Sequence, residues 1–215
     1  MILKGKNDTL LIIIHGYKGS NEDYAIKQLS LELNKKGYPI LAPNLISNKN
    51  KESETNIQNQ VEKVNISIDQ FKGKFKKIIL VGGSLGGLVS KIAAANNSSV
   101  DGLVTLNGFF YFSGLKRNDL KVALKLFLTF PFNKDSRKTL LFYYKNLSHK
   151  KVKIPTLVIS SKSDERISYN QSERFYKSLN SQKKLVFIKN MDHGITKKEY
   201  IIKVTEEIIS WLRKL

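Results

Sequence analysis

A short buried strand that turns directly into a helix is the feature that most constrains this chain. Residues 78–81 are the apolar run Ile-Ile-Leu-Val, which is typical of a strand buried on both faces. The segment Gly82-Gly83-Ser84-Leu85-Gly86 follows at once, and the largely apolar residues 88–95 suit a helix. A G-x-S-x-G turn between a strand and a helix has the form of a nucleophile elbow. We expect the glycines around Ser84 to be required, because a Cβ there would collide with the strand or the helix.

A glycine-rich turn between a strand and a helix can also cradle a phosphate group. This turn lacks the Gly-Lys-Ser/Thr ending of a P-loop and the G-x-G-x-x-G spacing of a dinucleotide site, which disfavours that alternative. A pattern of five residues also arises by chance, so its meaning depends on the rest of the chain.

Strand-like and helix-like segments alternate along most of the sequence. Besides the strand of the elbow, strands are predicted at residues 9–14, 38–43, 100–106, 154–160 and 184–188. Helices are predicted after Ser20 or Asn21 as N-cap up to Gly37, at residues 57–71, after the elbow, at 172–179 and at 200–212. This alternation indicates the α/β class, with a mostly parallel sheet covered by helices on both faces.

Residues 108–151 interrupt the alternation and divide a single domain of residues 1–215. They hold 10 of the 21 Phe, Tyr and Trp residues and are rich in lysine. We interpret them as a short helical cap, or lid, over the carboxyl edge of the sheet, where ligands bind in open α/β sheets. The core would then consist of residues 1–107 and 152–215. A helical pair that only packs on the core is the alternative.

The formal net charge of +19 is concentrated in the second half of the chain. Of the 37 basic residues, 14 lie before Gly108 and 23 lie after it, whereas the 18 acidic residues are evenly divided between the two parts. The basic residues are mostly lysines scattered over many positions, so we do not expect nucleic-acid binding as the main function. Attraction to anionic substrates, or peripheral contact with anionic lipid, is the expected consequence. An AT-rich genome, rich in Lys, Asn and Ile codons, is another explanation of the excess.

The sequence excludes several kinds of chemistry and favours a cytoplasmic location. It contains no cysteine, which rules out disulfides, thiolate catalysis and cysteine-based zinc sites. No stretch reaches the roughly 18 apolar residues of a membrane span. The first residues lack the apolar segment of a secretory signal peptide. We predict neither a metal site nor a cofactor, and the oligomeric state is not predicted.

Ser84 needs a base, which a carboxylate must orient. Of the three histidines, His15 ends the first long strand, His149 lies in a lysine-rich segment typical of a solvated loop, and His193 follows the last strand. Asp164 follows the strand after the insertion. Glu165 is a reserve acid, and Asp192 is interpreted as a solvated neighbour of His193. The ends of parallel strands meet at one edge of a sheet, so His15, Asp164 and His193 are expected on the same edge as Ser84.

The order Ser84, Asp164, His193, with His15-Gly16-Tyr17 after the first long strand, resembles the α/β-hydrolase fold, and in particular its single-domain esterases and monoacylglycerol-lipase-like serine hydrolases. The resemblance implies Ser84 as nucleophile, His193 as base and Asp164 as acid. It also implies an oxyanion hole made by the backbone N–H groups of Tyr17 and Leu85. Because only a few residues precede the first long strand, we expect a trimmed sheet of about six strands.

The implied activity is hydrolysis of small-molecule carboxylic esters with small to medium acyl groups, such as a monoacylglycerol. The aromatic insertion favours apolar or aromatic acyl groups, but no substrate-binding residue is identified. Two alternatives stay open: an acyl thioesterase that uses the same triad, and a non-catalytic basic binding module on a hydrolase fold.

Overall fold

Seven strands form one sheet in the part of the chain that the structure describes. The computed structural model describes residues 1–46, 57–111 and 152–215. The strands are β1 (Ile2–Leu3), β2 (Thr9–Ile14), β3 (Ile40–Leu41), β4 (Lys77–Gly83), β5 (Gly102–Leu106), β6 (Thr156–Ser160) and β7 (Lys183–Phe187). They lie in the order β1-β3-β2-β4-β5-β6-β7. Only the pair β1–β3 is antiparallel among these strands.

Helices cover both faces of this sheet. Within the described ranges they are α1 (Tyr24–Lys35), α2 (Ile57–Phe71), α3 (Leu85–Asn96), α4 (Tyr169–Ser178) and α5 (Lys198–Leu212). None of them combines the length and the apolar character that a bilayer span requires. The cytoplasmic location stays a prediction.

The sheet separates the core into two clusters, one on each face, because successive side chains of a strand point in opposite directions. Leu10, Ile12 and Ile14 of β2 belong to a cluster with buried residues of α2, α3 and α4. Leu11 and Ile13 belong to a second cluster, with α1 and α5. Since both faces are covered, every position from residue 10 to 14 is buried and apolar. This explains the continuous apolar run, and the predicted fold class is confirmed.

Two details of the fold differ from the prediction. The sheet has seven strands, one more than the expected sheet of about six, because Ile2–Leu3 pairs antiparallel with Ile40–Leu41 at the edge. A strand of two residues has no periodicity that a sequence could reveal. The first helix begins at Tyr24, with Asp23 as N-cap in place of Ser20 or Asn21. The Asp23 carboxylate accepts hydrogen bonds from the backbone N–H and the hydroxyl of Ser20, which holds residues 20–23 in a turn before the helix.

The first residues of the predicted insertion pack into the core. Phe109, Phe110 and Tyr111 are buried, and the ring of Phe110 stacks on that of Phe175 with centroids 4.2 Å apart. Residues 112–151, including His149, lie outside the described residues. The cap and the domain boundaries at residues 107 and 152 stay predictions.

Candidate functional site

The carboxyl edge of the parallel strands gathers the candidate residues. β2 leads into His15, β4 into Ser84 and β5 into Asn107, while the loops after β6 and β7 carry Asp164 and His193. β2, β4, β5, β6 and β7 are neighbours in the sheet and run parallel. Residues far apart in the sequence therefore converge at one edge.

Ser84 occupies a strained turn that two hydrogen bonds hold in place. Its φ of 53° and ψ of −122° lie in a region that residues with a Cβ rarely adopt. Its backbone N–H donates to the carbonyl of Leu106 at 2.9 Å, and its own carbonyl accepts from the N–H of Phe109 at 3.0 Å. The neighbouring strand β5 and the residues after it thus support a conformation that would otherwise be costly.

The glycines around Ser84 differ in their importance. A Cβ on Gly82 would overlap the backbone of Gly86 and the hydroxyl of Ser90. A Cβ on Gly86 would lie 2.5 Å from the carbonyl oxygens of Ile14 and His15. The predicted need for glycine is confirmed at these two positions. It is wrong for Gly83, where the nearest atom to an added Cβ would be an oxygen 4.0 Å away, because this residue faces the open cleft.

The structure brings Ser84, His193 and Asp164 into one hydrogen-bonded series. The Nε2 atom of His193 lies 3.0 Å from the Ser84 Oγ, and its Nδ1 lies 2.8 Å from the Asp164 Oδ2. The Asp164 side chain is only 1% exposed. An ionised carboxylate can only accept hydrogen bonds, so the imidazole carries its proton on Nδ1 and presents the Nε2 lone pair to the hydroxyl.

Backbone groups of the following turn hold the second oxygen of Asp164. The N–H groups of Arg166 and Ile167 both donate to its Oδ1 at 2.8 Å. The carboxylate is therefore oriented by its own loop, and one oxygen remains for the histidine.

The loop of His193 is held by residues that the sequence analysis assigned differently or missed. Glu165, the reserve acid, accepts from the backbone N–H of His193 at 3.1 Å and does not bond to the ring. The amide of Asn107 donates to the carbonyl oxygens of Asp192 and His193. Asn107 could have been identified from its position in the sequence, because it directly follows a buried strand that ends on the same edge as Ser84. Ile195 adopts a φ of 51°, a genuine outlier for a β-branched side chain.

His15 is fully buried, and each of its ring nitrogens has a backbone partner. Its Nδ1 lies 2.9 Å from the carbonyl oxygen of Gly16, and its Nε2 accepts from the N–H of Leu45 at 3.0 Å. These partners require a neutral ring with the proton on Nδ1. His15 thus holds the loop that passes close to Ser84. A Cβ added to Gly16 in this loop would lie 3.2 Å from the Cβ of Ser84.

A cleft of about 370 Å³ opens at Ser84 and His193. Tyr17 and Leu85, the predicted oxyanion donors, both line it. Leu85 is the first residue of α3, so its N–H is one of the groups that a helix leaves without an intrahelical acceptor. Burial raises the pKa of the Tyr17 hydroxyl above its ordinary value. The other lining residues are mainly apolar or aromatic and include Tyr24, Ile26, Leu29, Phe109, Ile167 and Ile195, with Asp23 and Arg166 as charged members.

Within the described ranges, no three His, Asp or Glu side chains are grouped in a way that could hold a metal ion. Because the chain has no cysteine, thiolate ligands are absent throughout.

Comparison with known proteins gives a family and a set of similar folds. Residues 45–215 match the model of the prolyl oligopeptidase family, Peptidase S9. No curated protein matches the sequence. Among solved structures, Est1E from Butyrivibrio proteoclasticus with bound ferulic acid is similar over 100% of this chain and 93% of its own, with 18% identity and a TM-score of 0.77.

Two further structures are comparably similar. The α/β hydrolase domain-containing protein 10 from mouse has 18% identity and a TM-score of 0.75, over 100% of this chain and 93% of its own. The monoacylglycerol lipase of Paleococcus ferrophilus has 17% identity and a TM-score of 0.76, over 99% of this chain and 96% of its own. At these identities the likeness concerns the fold, and the predicted α/β-hydrolase fold is confirmed.

Proposed function

The chain belongs to the prolyl oligopeptidase family of α/β-hydrolase proteins, and from that premise we propose that it is a serine hydrolase of small-molecule carboxylic esters. The proposal rests above all on the hydrogen-bonded series from the Ser84 Oγ through the His193 ring to the Asp164 carboxylate, with links of 3.0 and 2.8 Å. This series supplies a nucleophile, a base and an acid that orients the base.

Acylation begins when the Ser84 Oγ attacks the carbonyl carbon of the ester. The C–O bond forms as the hydroxyl proton passes to the Nε2 of His193, and Asp164 stabilises the resulting imidazolium. The backbone N–H groups of Tyr17 and Leu85 hold the oxyanion, and each such donor typically lowers the barrier by about 3 kcal/mol. Collapse of the tetrahedral intermediate breaks the bond to the alkoxide, which leaves as an alcohol with the proton from Nε2.

Deacylation repeats these steps with water as the nucleophile. The water oxygen attacks the acyl carbon of the ester on Ser84 while His193 takes a proton from the water. The acid is released, and the proton returns from Nε2 to the Ser84 oxygen. The two half-reactions consume one water and one ester, and they yield one acid and one alcohol.

The cleft supports small to medium apolar or aromatic acyl groups. Its volume of about 370 Å³ lies near the lower end of the range for small-molecule sites, roughly 300–1,000 Å³. Tyr17, Tyr24 and Phe109 supply aromatic surface beside Ser84. The ferulic acid bound to Est1E and the activity in the name of the monoacylglycerol lipase suggest an aromatic ester and a monoacylglycerol as first compounds to test.

Peptide-bond hydrolysis is a second candidate, favoured by the family match over residues 45–215. The same nucleophile and base can cleave an amide, provided that His193 protonates the leaving amine. Thioester hydrolysis needs no further residue and stays the alternative within acyl transfer. A binding module without catalysis would not need the bond between His193 and Ser84.

The test combines a fluorophosphonate probe with substrates of each class. Wild-type protein is offered p-nitrophenyl esters of graded acyl length, matched thioesters and a prolyl p-nitroanilide, beside Ser84→Ala and Ser67→Ala. Ser67 is a matched control because its hydroxyl only donates to the carbonyl of Lys63, within α2. We expect labelling and ester turnover in the wild type and in Ser67→Ala, and neither in Ser84→Ala.

Each other outcome has a definite meaning. Wild-type protein that is neither labelled nor active would refute the enzyme proposal. Labelling and turnover that persist in Ser84→Ala would refute the assignment of the nucleophile. A higher kcat/KM for the anilide or the thioester than for every oxygen ester would replace the proposed ester activity by the corresponding alternative.

A further inference from the structure

Asn107 is a buried polar residue with an unusual backbone at the end of β5. The residue is 1% exposed, and its φ is 45°. Asparagine tolerates this left-handed region better than most residues with a Cβ. Its backbone N–H donates to the carbonyl of Ile159 at 3.0 Å, which ties the turn to β6.

The Asn107 side chain reaches the loop that carries His193. Its Nδ2 donates to the carbonyl oxygen of Asp192 at 3.1 Å and, more weakly, to that of His193 at 3.4 Å. Both partners are acceptors, so the nitrogen and not the oxygen of the amide must face them. Asp192 lies 85 residues away along the sequence, so this contact is a long-range tertiary constraint.

The residues on both sides of Asn107 hold the nucleophile. The carbonyl of Leu106 accepts from the N–H of Ser84 at 2.9 Å, and the N–H of Phe109 donates to the carbonyl of Ser84 at 3.0 Å. The segment 106–109 is therefore bonded to the backbone of the nucleophile and, through Asn107, to the backbone of the base. The relative position of the two reacting side chains depends on this segment.

We propose that Asn107 is a positioning residue that sets the distance between the His193 ring and the Ser84 hydroxyl by clamping the carbonyl groups of Asp192 and His193. The proposal rests on the proposed function of Ser84 and His193. Asn107 is absent from the lining of the cleft and acts through the histidine loop, not on the substrate. A displacement of a catalytic group by about 1 Å can cost roughly a hundredfold in rate.

The purely structural alternative is that the clamp stabilises the fold without affecting the geometry of the base. Asn34 offers a matched control, because its Nδ2 also bridges two carbonyl oxygens, those of Lys4 at 2.8 Å and Tyr38 at 2.9 Å. Asn34 lies at the end of α1, away from the cleft lining. Asn34→Ala thus removes a comparable clamp from another part of the protein.

The principal test compares Asn107→Gly with Asn34→Ala in steady-state ester hydrolysis and thermal unfolding. Glycine removes the amide but accepts the left-handed backbone without strain. We expect kcat to fall roughly ten- to a hundredfold in Asn107→Gly, with KM nearly unchanged, and kcat to stay at the wild-type level in Asn34→Ala. A kcat that is unchanged in Asn107→Gly, or that falls only in proportion to its folded fraction in the unfolding measurement, would overturn the proposal.

Proton NMR tests the clamp without a substrate, so it remains decisive if the ester activity itself fails. The His193 Nδ1 proton, bonded to Asp164, should give a downfield resonance in the wild type that is lost or shifted in Asn107→Gly. An unchanged resonance would overturn the proposal. If Asn107→Gly does not fold, a measurement on the wild-type protein takes its place. In the wild type, the Asn107 Nδ2 protons should exchange slowly, and exchange at the rate of a solvated amide would also overturn it.

Discussion

Replacement of Asp164 by asparagine should disable the base without unfolding the protein. The Oδ1 atom accepts two backbone N–H groups, from Arg166 and Ile167, at 2.8 Å each. The asparagine side chain will direct its oxygen to these donors, since the reverse orientation leaves both N–H groups without this acceptor, which costs about 1–3 kcal/mol for the buried N–H of Ile167. The NH₂ group then occupies the place of Oδ2, which lies 2.8 Å from the His193 Nδ1.

An NH₂ group at that place changes the tautomer of His193. It can only donate, so Nδ1 must become the acceptor and the ring proton moves to Nε2. The Nε2 atom then has no lone pair for the proton of Ser84, although the 3.0 Å distance is preserved. A triad with the wrong tautomer loses about 10⁴-fold in kcat, which corresponds to about 5 kcal/mol. The free energy of unfolding should change little, because both backbone donors keep an acceptor.

The assay is kcat for a p-nitrophenyl ester together with urea unfolding, with Asp101→Asn as the matched control. The Asp101 Oδ2 also accepts a backbone N–H, that of Ile78 at 2.8 Å, but at the opposite edge of the sheet. We expect Asp101→Asn to keep the wild-type kcat. The reasoning would be refuted if Asp164→Asn kept kcat within tenfold of the wild type. A ring proton that remained on Nδ1 of the variant would also refute it.

Three other predictions concern stability and surface charge. Gly86→Ala should lower the free energy of unfolding by about 1–3 kcal/mol, because the added Cβ meets backbone carbonyls, whereas Gly83→Ala should change it by less than about 1 kcal/mol. Equal losses of the two variants in urea titrations would contradict this prediction. Burial lowers the pKa of Lys91 from 10.5 to about 7, so above pH 7 the unfolded state binds a proton that the folded state has released. The free energy of unfolding should therefore rise between pH 7 and 9 by about 2 kcal/mol more in the wild type than in Lys91→Met, and parallel pH profiles would exclude this effect. Finally, the net charge of +19 should make the protein sediment with anionic vesicles at low salt; sedimentation that does not respond to salt would contradict an electrostatic contact.

The sequence alone determined the class of the fold and the order of the main candidates. Strands buried on both faces must be apolar at every position, as residues 10–14 are, and this pattern is legible in the order of the amino acids. The elbow can also be recognised in the sequence, because Gly82 and Gly86 lie within two residues of Ser84. The parallel order of the strands then places Asp164 and His193 on the same edge, since every crossover returns the chain to the same end of the sheet.

The tertiary structure alone decided how those residues are held. Whether a Cβ fits at Gly83 or Gly86 depends on atoms of other strands. The edge strand Ile2–Leu3 exists because it finds a partner in Ile40–Leu41. The clamp joins Asn107 to Asp192 and His193, which lie 85 and 86 residues further along the chain. The physical reason is common to these cases: periodicity and turn chemistry act over a few neighbouring residues, whereas hydrogen bonds and steric contacts between distant segments arise only when the sheet is assembled.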